Sequence, residues 1–171
     1  MITTCPSEEI NFLPLNSFQF QIDKLPEISF YVQKVNLPGL SIPAPEYNTP
    51  LSKISLPGDM IDFEALSIDF MVDDKLKNWS AIFDWINGLG FPYDNKQYSD
   101  LLLEQPTIES DLSKTMATGM LIINDSNNTP VKTYTFYNLV PTGLTGIDFN
   151  SAITDVEYAI ATATFNYTLY Q

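Results

Sequence analysis

From Thr154 to Tyr170 the chain alternates for longer than anywhere else: Ala159, Ala161, Ala163, Phe165, Tyr167 and Leu169 share one side, and Thr162, Thr164, Asn166 and Thr168 the other. A period of two belongs to a pleated strand, so this segment offers one face to a core and a second, small and polar, to something else. The same period runs through Phe18, Phe20 and Ile22, which alternate with Ser17, Gln19 and Gln21. It returns between Glu64 and Val72, where Leu66, Ile68, Phe70 and Val72 oppose Ala65, Ser67, Asp69 and Met71. A chain organised this way is mainly β, and its 171 residues fit one domain with a core of its own.

Between these strands the punctuation is readable. A turn at 24–27 leads into the aromatic and β-branched run 28–35, which pairs with 18–22 as an expected hairpin. Asp73 and Asp74 open a helix expected over about 74–88, where they cap orphan N–H groups, and Gly88 stops it. Leu76, Trp79, Phe83 and Ile86 make one apolar stripe, expected against the sheet, and Ile82, Trp85 and Leu89 make a second beside it. So broad an apolar face leaves Trp79, Phe83 and Trp85 open to either helix packing or contact with another subunit. A second hairpin is expected from 116–123 and 131–137 around the turn-rich tip 124–128, followed by a bend after Pro141-Thr142-Gly143. Signals over 91–115 are mixed. Residues 1–15 read as an extended arm, and 16–171 as the single domain.

The segment 36–59 is a long loop by its five prolines, with Pro-Gly turn signals at 38–39 and 57–58 and room only for short strand pieces around Leu51 to Leu56. Yet Leu37, Leu40, Ile42, Leu51, Ile54 and Leu56 are too apolar for an ordinary solvated loop. A long, stiff, apolar connection is a partner-binding element.

Charge and residue usage remove whole classes of function. The chain has 21 acidic residues against 8 lysines and no arginine, a net charge of -13, which repels a nucleic-acid backbone. Without histidine there is no Ser-His-Asp triad and no His-built metal site. One cysteine, Cys5, leaves no internal disulfide. No run approaches the ~20 apolar residues of a membrane helix, and the start has no basic stretch before an apolar run, so a soluble, cytosolic product is expected. Asp73-Asp74 is accounted for by capping rather than by carboxylate catalysis. Asp125-Ser126-Asn127-Asn128 lacks the central glycine and closing glutamate of a calcium loop. Glycines 88 and 90, or 143 and 146, have no following lysine to cradle a phosphate. The expectation is a non-enzyme without metal or cofactor, built to pair its strand edges with copies of itself.

Several stretches together resemble the tail tube proteins of contractile-tailed bacteriophages. They are Asn16-Ser17-Phe18-Gln19-Phe20-Gln21-Ile22, Val32-Gln33-Lys34-Val35-Asn36-Leu37-Pro38-Gly39, Leu56-Pro57-Gly58-Asp59, Leu66-Ser67-Ile68-Asp69-Phe70 with Val72-Asp73-Asp74, Asn78-Trp79, Trp85-Ile86-Asn87-Gly88-Leu89 and Phe165-Asn166-Tyr167. Their order and spacing carry the resemblance. It implies a β-sandwich or barrel-like subunit with a flanking helix, in hexameric rings stacked as a hollow tube, each subunit giving about four strands to an inner barrel. It also implies a sheath outside, baseplate and tail-terminator proteins at the ends, DNA passing through without specific binding, no membrane insertion, and a place in the virion tail after assembly in the host cytoplasm. On that frame the 36–59 loop becomes the ring-to-ring contact, through Leu37, Pro38, Gly39, Leu40, Ile42, Ile54, Pro57, Gly58 and Asp59. The bore lining becomes Asp69, Thr162, Thr164, Asn166 and Thr168, expected to be smooth and anionic. Two alternatives are a baseplate initiator or terminal ring of the same fold and, in another class, a β-sandwich carbohydrate-binding module. A carboxylate glycosidase is the enzyme alternative.

Overall fold

The computed structural model describes residues 12–48, 51–90, 96, 99, 115–152, 154–155 and 157–171. In chain order the elements are β1 (Phe18–Ile22), a 3₁₀ turn (Pro26–Phe30), β2 (Val32–Val35), β3 (Leu40–Ser41), β4 (Glu46–Asn48), β5 (Lys53–Ser55), β6 (Asp62–Phe63), β7 (Leu66–Met71), α1 (Lys77–Gly90), β8 (Ala117–Asn124), β9 (Pro130–Leu144), β10 (Ile160–Asn166) and β11 (Leu169–Tyr170). Most of the 91–115 region and of the 1–15 arm lies outside the described residues; of the arm, Phe12 and Leu15 are exposed. No helix among the described residues is long and apolar enough to cross a membrane.

An antiparallel sheet runs β1-β8-β9-β10-β7-β2, with β11 added on β9. β9 is 15 residues long and belongs to both halves: its first part pairs β8 and β11, its last part β10. Each half turns an apolar face inward. Phe20, Leu121 and Phe136 from one half meet Leu66, Ile68, Phe70, Ala161, Ala163 and Phe165 from the other, and Ile82 and Trp85 of α1 complete the same cluster. The result is sandwich-like and mainly β, as the alternation predicts, but β1 and β2 remain at opposite ends of the path, so the sheet is not a closed barrel.

Four expectations are corrected. The 18–35 hairpin does not form: β1 pairs β8 and β2 pairs β7. Residues 28 and 30 would share a face in a strand, but Ile28 is buried and Phe30 exposed, because Pro26 starts a 3₁₀ turn there. The bend after Pro141 is a bulge inside a continuous β9, paired across Thr164 and Phe165 of β10, while the positive φ of 58° sits earlier, at Asn138. Thr154 to Tyr170 is not one strand. A break after Asn166 shifts the phase, so Tyr170 packs on the core while Leu169 is exposed.

The helix also starts later and differently. It begins at Lys77, after Leu76 with φ 57°, and Asn78 rather than Asp73 or Asp74 ties its start to the sheet. Gly88 is a buried interior residue, and the helix runs on to Gly90. Both stripes reach the core: Ile82 and Trp85 are buried in it, Trp79, Ile86 and Leu89 pack against it half-buried, and Phe83 is exposed.

Gly119 in β8 lies under Leu139, and a Cβ placed on it would overlap Leu139 Cδ1, a fully buried side chain. Gly119→Val is expected to lower stability by about 1–3 kcal/mol through overpacking. Urea denaturation checks this, and an unchanged midpoint would contradict it.

Candidate assembly surfaces

Three surfaces present side chains that the core does not use. The first grows out of the stretch read as a loop. Leu40 pairs Phe63 and Ser41 pairs Asp62; farther out Leu56 N–H donates to Pro45 O at 3.0 Å, and Glu46, Tyr47 and Asn48 pair Ser55, Ile54 and Lys53. Residues 40–48 and 51–63 therefore form a two-stranded arm, braced at its outer ladder by Lys53 Nζ and Glu46 Oε2 at 2.9 Å. Gly58 is required midway, since a Cβ there would collide with the carbonyl oxygen of Pro43, in the stretch between β3 and β4. Leu40, Ile42, Tyr47, Ile54 and Leu56 are all exposed. A lone two-stranded ribbon is marginal in water, and this one adds apolar side chains that none of the described residues covers.

The base of the arm, by contrast, is clamped. Asn36 Nδ2 donates to Ala65 O at 3.0 Å while its Oδ1 accepts from Ser67 N–H at 2.6 Å. Gly39 N–H donates to Glu64 Oε2 at 3.2 Å. From the C-terminal segment, Tyr167 OH donates to Glu64 O and Tyr170 OH to Pro38 O, both at 2.9 Å, and the two rings sit edge-on to Phe63 at 5.7 and 5.8 Å. Of the expected inter-ring residues, Pro38, Gly39 and Phe63's partner Leu40 thus lie at or near the clamped base, whereas Ile54 lies toward the tip. Burial, then Tyr170 and the Glu64 carboxylate, push the Tyr167 phenol up to about 12. A raised folded value means that this group's contribution is intact below about pH 10, the unfolded value, and is lost as pH rises toward 12. Phenolate absorbance of the native protein is expected to show one tyrosine titrating late, and Tyr167→Phe to remove that late step.

The second surface is the outer face of β2, β7, β10 and the end of β9. Ser67, Asp69 and Met71 alternate with the buried Leu66, Ile68 and Phe70, and Thr162 and Thr164 with Ala161, Ala163 and Phe165. Thr162 Oγ1 donates to Asp69 Oδ1 at 2.7 Å, Thr162 N–H to Thr145 Oγ1 at 2.8 Å, and Thr142 Oγ1 to Thr164 O at 3.1 Å. Asp69, Thr162, Thr164 and Asn166 thus share one face. Thr168 lies past the break and instead accepts at Oγ1 from Asn138 Nδ2 at 3.0 Å. Lys34 Nζ is 3.6 Å from Asp69 Oδ2. Among the described residues, the ion pair on this face thus sets one lysine beside one aspartate.

The third surface is on α1. Trp79 stacks on Phe83 at 5.1 Å and donates Nε1–H to Thr145 O at 3.1 Å, leaving Phe83 44% exposed. Trp85 is committed inward: it donates Nε1–H to Thr115 O at 3.0 Å and tilts against Phe165 at 6.2 Å. Lys24 Nζ lies 5.3 Å over its ring, and burial pushes that ammonium's pKa down.

No protein-family model matches the chain. The tail tube terminator protein of enterobacteria phage T4 is 25% identical over 142 residues, covering 81% of this chain and 74% of that one. Among solved structures, a chain from the sheath/tube terminator of the extracellular contractile injection system PVC, in its extended state, superposes with a TM-score of 0.61 at 18% identity, over 96% of this chain and 99% of the other. A chain from the tube-terminating cap of the anti-feeding prophage gives 0.59 at 15% identity, over 100% and 97%. One from the PVC sheath-tube complex gives 0.59 at 17%, over 93% and 90%. These structures share the fold.

Proposed function

Starting from a contractile-tail tube-family protein with a structural role in such a tail, we propose that this chain forms the ring that terminates the tube. The observation carrying this reading is the match to a tail tube terminator along 81% of the chain. Hexameric rings are formed by pairing of the β1 and β2 edges, which end the sheet path among the described residues, the arm that carries β3 to β6 docks on the adjoining ring, and Phe83 offers a further subunit contact. The polar face of β2, β7, β10 and β9 lines a bore through which DNA passes. Sheath lies outside, and the role is structural, without catalysis or cofactor, in a particle assembled in the host cytoplasm. The alternative, a repeating tube subunit, is supported by the likeness to a chain of the sheath-tube complex.

Copy number separates the two. Quantitative mass spectrometry of purified particles is expected to give one ring's worth of this chain, and the purified protein is expected to form rings that do not elongate. Long tubes from the protein alone, with many rings' worth per particle, would replace the terminator reading by the repeating-subunit one.

A further inference from the structure

Among the described residues, the polar face of β2, β7, β10 and β9 carries two charged side chains, and they are placed against each other. Lys34 of β2 and Asp69 of β7 are register partners, with Nζ 3.6 Å from Oδ2. The other carboxylate oxygen, Oδ1, accepts from Oγ1 of Thr162, the register partner of Asp69 on β10, at 2.7 Å. Thr162 is held in turn by its N–H on Thr145 Oγ1 at 2.8 Å. The carboxylate is therefore fixed across three strands, beside a lysine whose side chain is 78% exposed.

We infer that Asp69 is a neutralising residue: it cancels the lysine that this face would otherwise present to a passing polyanion. The inference rests on the reading of the face as the lining of the bore. Stability does not account for the arrangement, because an ion pair this exposed contributes at most about 1 kcal/mol. Its consequence lies in the local field. A lysine ammonium binds phosphate as a point charge, and a ring repeats it around the bore at one height, so weak contacts act together on one duplex. Acids elsewhere on the chain are screened beyond about 8 Å at physiological salt, so cancellation has to be local. Thr162 supplies the locality by holding the carboxylate at the lysine.

Asp69→Asn removes the charge and keeps an oxygen to accept from Thr162. Assembled rings of the wild type, Asp69→Asn, and Asp69→Asn with Lys34→Gln are titrated with fluorescent duplex DNA at several salt concentrations, after thermal melts have shown that all three fold alike. Asp69→Asn is expected to bind about tenfold tighter than wild type or more, with affinity that falls as salt rises, and the double variant to return to the wild-type value. Equal affinity of Asp69→Asn and wild type would overturn the inference, and so would tight binding that persists in the double variant. The underlying reading has its own readout. In a Cys5→Ser background, Thr164→Cys in assembled rings is expected to react with a small maleimide and not with one carried on a large protein. Equal reaction with both would remove the face from the bore, whatever the binding results.

Discussion

Leu40→Asp and Ile54→Asp are expected to abolish docking between rings while leaving the subunit as stable as before. In the free subunit Leu40 is 57% and Ile54 46% exposed, so neither buries enough to matter for folding. Docking changes that account. Covering the half of such a side chain that is still exposed contributes about 1 kcal/mol, and a carboxylate in its place adds a desolvation cost on top of that loss. The arm already bears Glu46, Asp59 and Asp62 against a single lysine, Lys53, so each new Asp adds to its net negative charge. Repetition around a ring turns a change of a few kcal/mol per arm into complete loss. Thermal melts should superpose on the wild type, while sedimentation and electron microscopy should show subunits or single rings that no longer associate with tubes. Association of either variant at the wild-type concentration would show that the arm is not the docking element.

What the sequence reveals follows from how local each determinant is. β7 and β10 are legible because strict alternation coincides with one buried face: Leu66, Ile68 and Phe70 are fully buried, and so are Ala161, Ala163 and Phe165. The strand partners are not legible, since pairing is decided by the whole sheet; β1 finds β8 about a hundred residues away rather than its neighbour β2. The helix is legible as a helix, but its orientation is not. Both apolar stripes satisfy the same spacing, and contacts made only in the fold, Trp85 against Phe165 and its Nε1–H on Thr115 O, hold Trp85 inward while Phe83 stays exposed.

The arm hides for a different reason. Its prolines interrupt every short run, so period-2 patterning never accumulates, and Gly58 acquires its meaning only when Pro43 is brought opposite. The polar face shows both behaviours. Alternation places Asp69, Thr162 and Thr164 together, but Lys34 joins them through a register shift between Val32 and Lys34 that no local pattern encodes. Net charge, a property of the whole chain, is no guide to the charge of this one face.

The largest loss of stability from a single polar substitution is expected at Asn78. Its side chain is 1% exposed. Oδ1 accepts from Asp73 N–H at 3.1 Å and Trp79 N–H at 2.9 Å, and Nδ2 donates to Met71 O at 2.7 Å. These bonds join the end of β7 to the first turn of α1 across Leu76, and so set the angle at which Ile82 and Trp85 enter the core. Asn78→Ala leaves Met71 O and two N–H groups without this partner, at about 1–3 kcal/mol for each buried group that stays unpaired. A total of roughly 3 kcal/mol or more is a large part of the 5–15 kcal/mol that holds a domain folded. Asn78→Asp isolates the donor. It keeps an acceptor for Asp73 and Trp79, whose N–H groups favour a charged carboxylate, but sets a second oxygen against the buried Met71 carbonyl, and the expectation is that burial and this contact prevail and raise its pKa. Once protonated, the new carboxyl can donate to Met71 O as the amide does. With the folded pKa above the unfolded value of about 3.9, the Asn78→Asp variant gains stability as pH falls and loses it as pH rises through the folded pKa. Denaturation midpoints at about pH 5 and about pH 7 should therefore show the Asn78→Asp variant approaching wild type at the lower value, with Asn78→Ala keeping the same deficit at both. Equal deficits for the two variants at both pH values would show that the bond to Met71 is not what fixes the helix to the sheet.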